Sequence, residues 1–150
     1  MKKLMYLFLF SIVALQACKD ENIDPRDKFV GTWHTSAVGS LSYVLNGAVI
    51  ATYPENFENT EELTKYGTEQ ISFGGTVAIY TGSAFKFSNE TQSVTANGIT
   101  TNITRSISGQ YANDKIILTV IYTGTFTSQS APGTIGTLTG NQVITYTKTK

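Results

Sequence analysis

From Phe29 onward the chain repeats with a period of two. Ile99, Thr101, Ile103, Arg105 and Ile107 share one face of an extended segment. Ile116, Leu118, Val120 and Tyr122 do the same from Lys115 onward, and Val143, Thr145 and Thr147 alternate with Ile144, Tyr146 and Lys148 near the end. Successive side chains of a strand point to opposite faces, so this alternation marks half-buried antiparallel strands. Threonine fits the same reading. All 23 threonines lie at or after Thr32. The residue is β-branched, which suits a pleated strand, and its hydroxyl tolerates water on an outer face.

Turn chemistry punctuates these runs. Asn46-Gly47 and Asn97-Gly98 sit between alternating segments, where a two-residue hairpin needs positive φ. Gly74-Gly75, Ala112-Asn113-Asp114 and Ala131-Pro132-Gly133 separate further runs. The spacing predicts one all-β domain over residues 29–150, an antiparallel up-and-down meander closing into a barrel of about eight strands. A β-sandwich is the alternative. One short helix is predicted over Thr60–Tyr66, because Asn59 and Glu62 have capping-box spacing and Gly67 stands where a C′ residue belongs. Glu61 and Lys65 would then pair across one helical turn. The acidic group Glu55, Glu58, Glu61, Glu62 and Glu69 reads as that helix's solvated face.

Composition excludes several functions. One cysteine and one histidine allow neither a disulfide framework nor a structural zinc site. Eleven bases balance eleven acids, which argues against nucleic-acid binding. Aromatic residues make up 11% and charged residues only 15%, so the chain is not of disordered type.

The first residues differ from the rest. Lys2 and Lys3 precede Leu4–Leu15, a stretch that is apolar except for Ser11. It is too short to span the roughly 30 Å of a bilayer core, so residues 1–17 read as a signal peptide. Leu15-Gln16-Ala17-Cys18 resembles the lipobox of bacterial lipoproteins, although Gln16 replaces the usual small residue. The resemblance implies cleavage before Cys18, a diacylglyceryl group on its sulfur and acylation of the new N-terminus. Two or three acyl chains anchor stably where one is marginal. Residues 18–28 are polar, charged and broken by Pro25, and read as a flexible tether. Lys19-Asp20-Glu21 is similar to the export signal of surface lipoproteins in some Gram-negative bacteria, which implies an outer-membrane, cell-surface protein. Without Lys2 and Lys3, nine bases face eleven acids.

Phe29-Val30-Gly31-Thr32-Trp33 opens the domain and resembles the start of calycins: lipocalins, fatty-acid-binding proteins and the lipocalin-like lipoproteins of bacteria. In that superfamily the tryptophan closes one barrel end beneath a basic residue from the last strand. The resemblance places Gly31 and Trp33 at that end, with Lys148 as the basic partner. The later Thr-Asp-Tyr motif and the Arg-x-Tyr carboxylate clamp are absent, so the family's ligands do not carry over. The fold carries over, and with the strand pattern it supports the expectation of a non-enzymatic protein that binds a small, partly apolar molecule in its barrel.

Arg105, the only arginine of the domain, lies in register with Ile99, Ile103 and Ile107. Turned outward it snorkels at a barrel end. Turned inward it could meet an anionic ligand, but then needs a partner such as Glu69 or Glu90, because an unpaired buried cation is costly. Arg105, Tyr80 and Tyr122 are the candidate ligand-lining residues. The other aromatics, among them Tyr43, Phe73, Phe85 and Tyr146, read as barrel core. His34 follows Trp33 and so faces the opposite side, toward solvent. No catalytic residue, metal ligand or cofactor is assigned. Two further functions stay open: a protein-interaction or inhibitor module with a filled core, for which the loop 127–136 is a natural site, and a glycan-active protein with two facing carboxylates.

Overall fold

The hairpins set the architecture. In the computed structural model, which describes residues 23–149, Asn46 and Gly47 have φ of 52° and 80°, and Asn97 and Gly98 have 52° and 73°. These are tight two-residue turns, and Asn113-Asp114 (52° and 58°) makes a third. Ten antiparallel strands result: β1 (Gly31–Leu45), β2 (Ala48–Pro54), β3 (Phe57–Tyr66), β4 (Gln70–Phe73) and β5 (Thr76–Tyr80), then β6 (Ala84–Phe87), β7 (Glu90–Ala96), β8 (Ile99–Ala112), β9 (Lys115–Ser128) and β10 (Ala131–Lys148).

Eight of them close a barrel in the order β1-β3-β4-β5-β6-β8-β9-β10, with β10 pairing back onto β1. The remaining two create forks. β1 pairs with β3 through Gly31–Ala37 and then with β2 through Ser40–Leu45. β8 pairs with β7 through Ile99–Arg105 and with β6 through Ser108–Gln110. The lower half, around Trp33, is therefore a closed eight-strand barrel. The upper half is a six-strand trough, β2-β1-β10-β9-β8-β7, whose outer strands β2 and β7 end the sheet.

The lower half is packed solid. Phe29, Trp33, Leu63, Ile71, Phe73, Tyr80, Phe85, Ile116 and Leu118 form one buried cluster. Burying such a side chain contributes about 1.5–3 kcal/mol. Phe29 meets Tyr80, Phe85 and Tyr111 edge-to-face, with centroids 4.8–5.1 Å apart. Trp33 is 1% exposed, and its indole N–H donates to the Phe29 carbonyl at 2.8 Å. Lys148 Nζ lies 5.7 Å from the Trp33 ring and donates to the Lys28 carbonyl at 2.8 Å. Gly31, at φ +121°, leads the chain into β1 beneath the Lys148 stem.

Inward-facing glycines crease the sheet between the halves. Gly39 on β1, Gly140 on β10 and Gly124 on β9 step diagonally across neighbouring strands. A Cβ at each would collide with the backbone of the adjacent strand, at Asn141, Ser40 and Asn102 respectively. Glycine lets the strands curl that tightly.

Three expectations need correction. Thr60–Tyr66 is not helical but part of β3, because its alternation places Glu61 and Leu63 inward with Glu62 and Thr64 outward, and β1 and β4 supply partners on both edges. Ala131-Pro132-Gly133 is not a turn; the chain reverses at Gln129-Ser130, and residues 132–134 bulge within β10. Asp24–Lys28 is not free tether. Arg26 donates to Asp24 and to the carbonyls of Gly67 and Gln70, and Lys65 pairs with Asp24 and Asp27. Residues 27–29 form a 3-10 turn that seats Phe29. Residues 1–17, Cys18 and Lys19–Glu21 lie outside the described residues.

Candidate functional site: a cavity at the forks

A cavity of about 390 Å³ opens where the closed barrel gives way to the trough. Phe57, Phe73 and Phe87 form aromatic walls, and Ile107, Val120 and Ile144 supply aliphatic ones. Glu55, in the connection from β2 to β3, and Gly74, in the turn from β4 to β5, lie at its rim. Inside are Glu61, Arg105, Tyr122, Gln142 and Tyr146.

Each polar group is placed by the pleat. Arg105 faces inward on β8, opposite Tyr122 on β9 and Glu90 on β7. Its guanidinium forms an ion pair with Glu90. Both side chains remain about 40% exposed (41% and 42%), so the pair is solvated and contributes little stability. Tyr122 donates to Gln142 Oε1 at 3.1 Å, and Gln142 Nε2 donates to the Glu55 carbonyl at 2.7 Å. Gln142 is 4% exposed and stands opposite Gly39, whose missing side chain makes room for it. Glu55 N–H in turn donates to the Gly39 carbonyl, and Asn56 Oδ1 accepts from Gly39 N–H at 3.0 Å, stitching this fork shut.

Tyr146 donates to Glu61 Oε2 at 3.1 Å and packs edge-to-face on Phe73. Burial, then the neighbouring Glu61 carboxylate, pushes its phenol well above the ordinary tyrosine range. The Tyr122 phenol is raised for similar reasons, by burial first and Glu55 second, with Arg105 opposing. Both hydroxyls therefore stay protonated and act as donors.

The candidate residues separate in space. Arg105 and Tyr122 line the cavity together. Tyr80 does not: it packs against Phe29 and Phe85 in the lower core, and its hydroxyl donates to the Gly82 carbonyl. Gly31, Trp33 and Lys148 gather at the closed end. His34 is exposed on the outer wall. Among the described residues, no group of three or more His, Cys, Asp and Glu side chains is placed to hold a metal ion. Glu55, Glu61, Gln142 and Tyr146 also line the cavity, beyond the residues nominated from the sequence. Glu61 was legible, since it alternates in step with Phe57 and Leu63.

A second hollow of about 430 Å³ lies in the trough, lined by Tyr43, Ala51 and Tyr53 from one side and Val94, Ile103 and Phe126 from the other. It follows the first along β8, where Ile107 and Arg105 give way to Ile103 and Thr101.

No protein-family model matches the chain, and no curated protein or solved structure matches it either.

Proposed function

We propose that this protein is a lipid-anchored, lipocalin-like binding protein that takes a small, partly apolar molecule into the cavity at the forks. Acylated Cys18 would hold it at the outer membrane, with the barrel on the cell surface. The observation carrying this reading is the cavity itself, about 390 Å³ with aromatic walls and a few converging polar groups. Binding sites for small molecules have that size and character. The role is binding without catalysis. Native mass spectrometry of the purified protein tests it: co-purified mass lost on unfolding supports the reading. Filling the cavity with Ile107→Trp should abolish the adduct. Cys18→Ser should stop incorporation of labelled palmitate and release the protein from the membrane fraction.

A second reading rests on the trough. Val49, Ile50 and Tyr53 on β2 are 63%, 55% and 56% exposed beside a strand edge that has no partner among the described residues. Exposed apolar edges favour contact with another protein. That function predicts that Tyr53→Lys abolishes partner capture while ligand uptake at the forks continues.

A further inference from the structure

We propose that the cavity at the forks selects a cation: a protonated amine or quaternary ammonium carried on a compact apolar body. The inference rests on the binding function proposed above and names the ligand class for the same site.

Charge is the first observation. The cavity and its rim hold Glu55, Glu61 and Arg105, with Glu90 reaching Arg105 from β7. Arg105 and Glu90 neutralise each other in register. Among the described residues, neither Glu55 nor Glu61 lies in an ion pair. Two carboxylates thus remain unmatched. An anionic ligand would face both of them, so Arg105 does not make this an anion site.

Hydrogen bonding is the second observation, and it concerns the same two carboxylates. Three of the cavity's neutral donor groups already face protein acceptors. Tyr122 donates to Gln142, Gln142 donates to the Glu55 carbonyl, and Tyr146 donates to Glu61 Oε2. Acceptors remain. Among the described residues, the Glu55 carboxylate and Glu61 Oε1 receive no side-chain donor. These open carboxylate oxygens suit a ligand that donates. An ammonium group supplies up to three donors and the missing positive charge. Phe57, Phe73 and Phe87 line the cavity, and an aromatic face attracts such a cation. The aliphatic walls fit the apolar body.

The test uses three probes of one shape: phenylbutylamine, phenylbutanol and phenylbutyrate. Each is titrated calorimetrically into the full-length protein in phosphatidylcholine nanodiscs, with empty discs as the blank. The amine should bind roughly tenfold or more tightly than the alcohol, about 1.4 kcal/mol, and the carboxylate weakest. Glu55→Gln with Glu61→Gln should erase the amine's advantage, so that amine and alcohol bind alike, while glutamine Oε1 still accepts from Tyr146. Added salt should weaken the amine alone. Circular dichroism confirms that each variant is folded. If the alcohol or carboxylate binds as tightly as the amine, the cation inference falls and the binding function stands. An amine preference that survives both substitutions places the amine elsewhere and also overturns the inference. If no probe binds, the cavity is not a small-molecule site and both readings fall.

Discussion

The two halves of this barrel share four long strands and differ in almost everything else. The lower half has eight strands, is closed, and is filled by Phe29, Trp33, Phe85 and their neighbours. The upper half has six strands, free edges at β2 and β7, and a hollow lined by Tyr43, Tyr53 and Phe126. The same strands, β1, β8, β9 and β10, run through both. What changes is whether a neighbour switches at the fork. Below it, aromatic packing stabilises the fold. Above it, the same backbone leaves apolar surface uncovered. The cavity lies at the junction, where neither filling is complete.

The largest test of this contrast is Trp33→Ala. Truncating a fully buried aromatic costs about 3–5 kcal/mol. Tyr53→Ala in the trough, where the side chain is 56% exposed, should cost under about 1 kcal/mol. Urea titration of the two variants reads the difference directly. Equal losses would mean that the halves are not energetically distinct.

The crease offers a test by sign. Alanine in place of glycine inside a strand ordinarily stabilises slightly. At Gly124 the new Cβ would strike the backbone of Asn102, and at Gly140 that of Ser40. Gly124→Ala and Gly140→Ala should therefore destabilise, by about 1–3 kcal/mol, as overpacking does. A gain in stability at either position would show that the strands do not curl there.

A third test addresses the boundary. Tyr146 has its phenol raised above the ordinary value of 10.0 by burial and by Glu61. The folded state then holds that proton more tightly than the unfolded chain. Its stabilising contribution is complete below pH 10 and declines as pH rises beyond it. Alkaline denaturation should begin there, and Tyr146→Phe should blunt that limb of the pH–stability curve while lowering the neutral plateau by about 0.5–1.5 kcal/mol through the lost hydrogen bond to Glu61.

Much of this organisation is legible in the sequence. The Asn-Gly and Asn-Asp turns fix their own hairpins because positive φ leaves few alternatives, and period two fixes which face of β8 and β9 turns inward. Thr60–Tyr66 is a strand despite its capping-box spacing and i,i+4 pair, because those signals are local and the strand partners that override them lie on β1 and on β4. The forks were invisible for the same reason. No local feature of β1 says that it exchanges β3 for β2 beyond Ala37. The site depends on those forks, so Arg105 and Tyr122 could be nominated but Glu55 and Gln142 could not. Their meeting, 87 residues apart, exists only once the fork is stitched.

The smallest expected effect concerns the segment that seats Phe29. Hydrogen bonds from Arg26, with Lys65 adding to them, hold the Asp24 carboxyl well below the usual carboxylate range. A lowered pKa means that the unfolded chain binds the proton more tightly. The clamp's contribution is therefore present above the ordinary value of 3.8 and is lost as pH falls through the lowered folded value. Asp24 lies at the surface, so solvent and salt screen the effect, and it should shrink at high ionic strength. Asp24→Asn should flatten the acid limb without moving the alkaline one. Hydrogen exchange sharpens the contrast between the halves. Detaching residues 24–28 should loosen the amides around Phe29, whose seat lies in the lower half, and leave those of β2 and β7 unchanged. Faster exchange at β2 would mean that the trough leans on the clamp, and the two halves would then have to be treated as one cooperative unit.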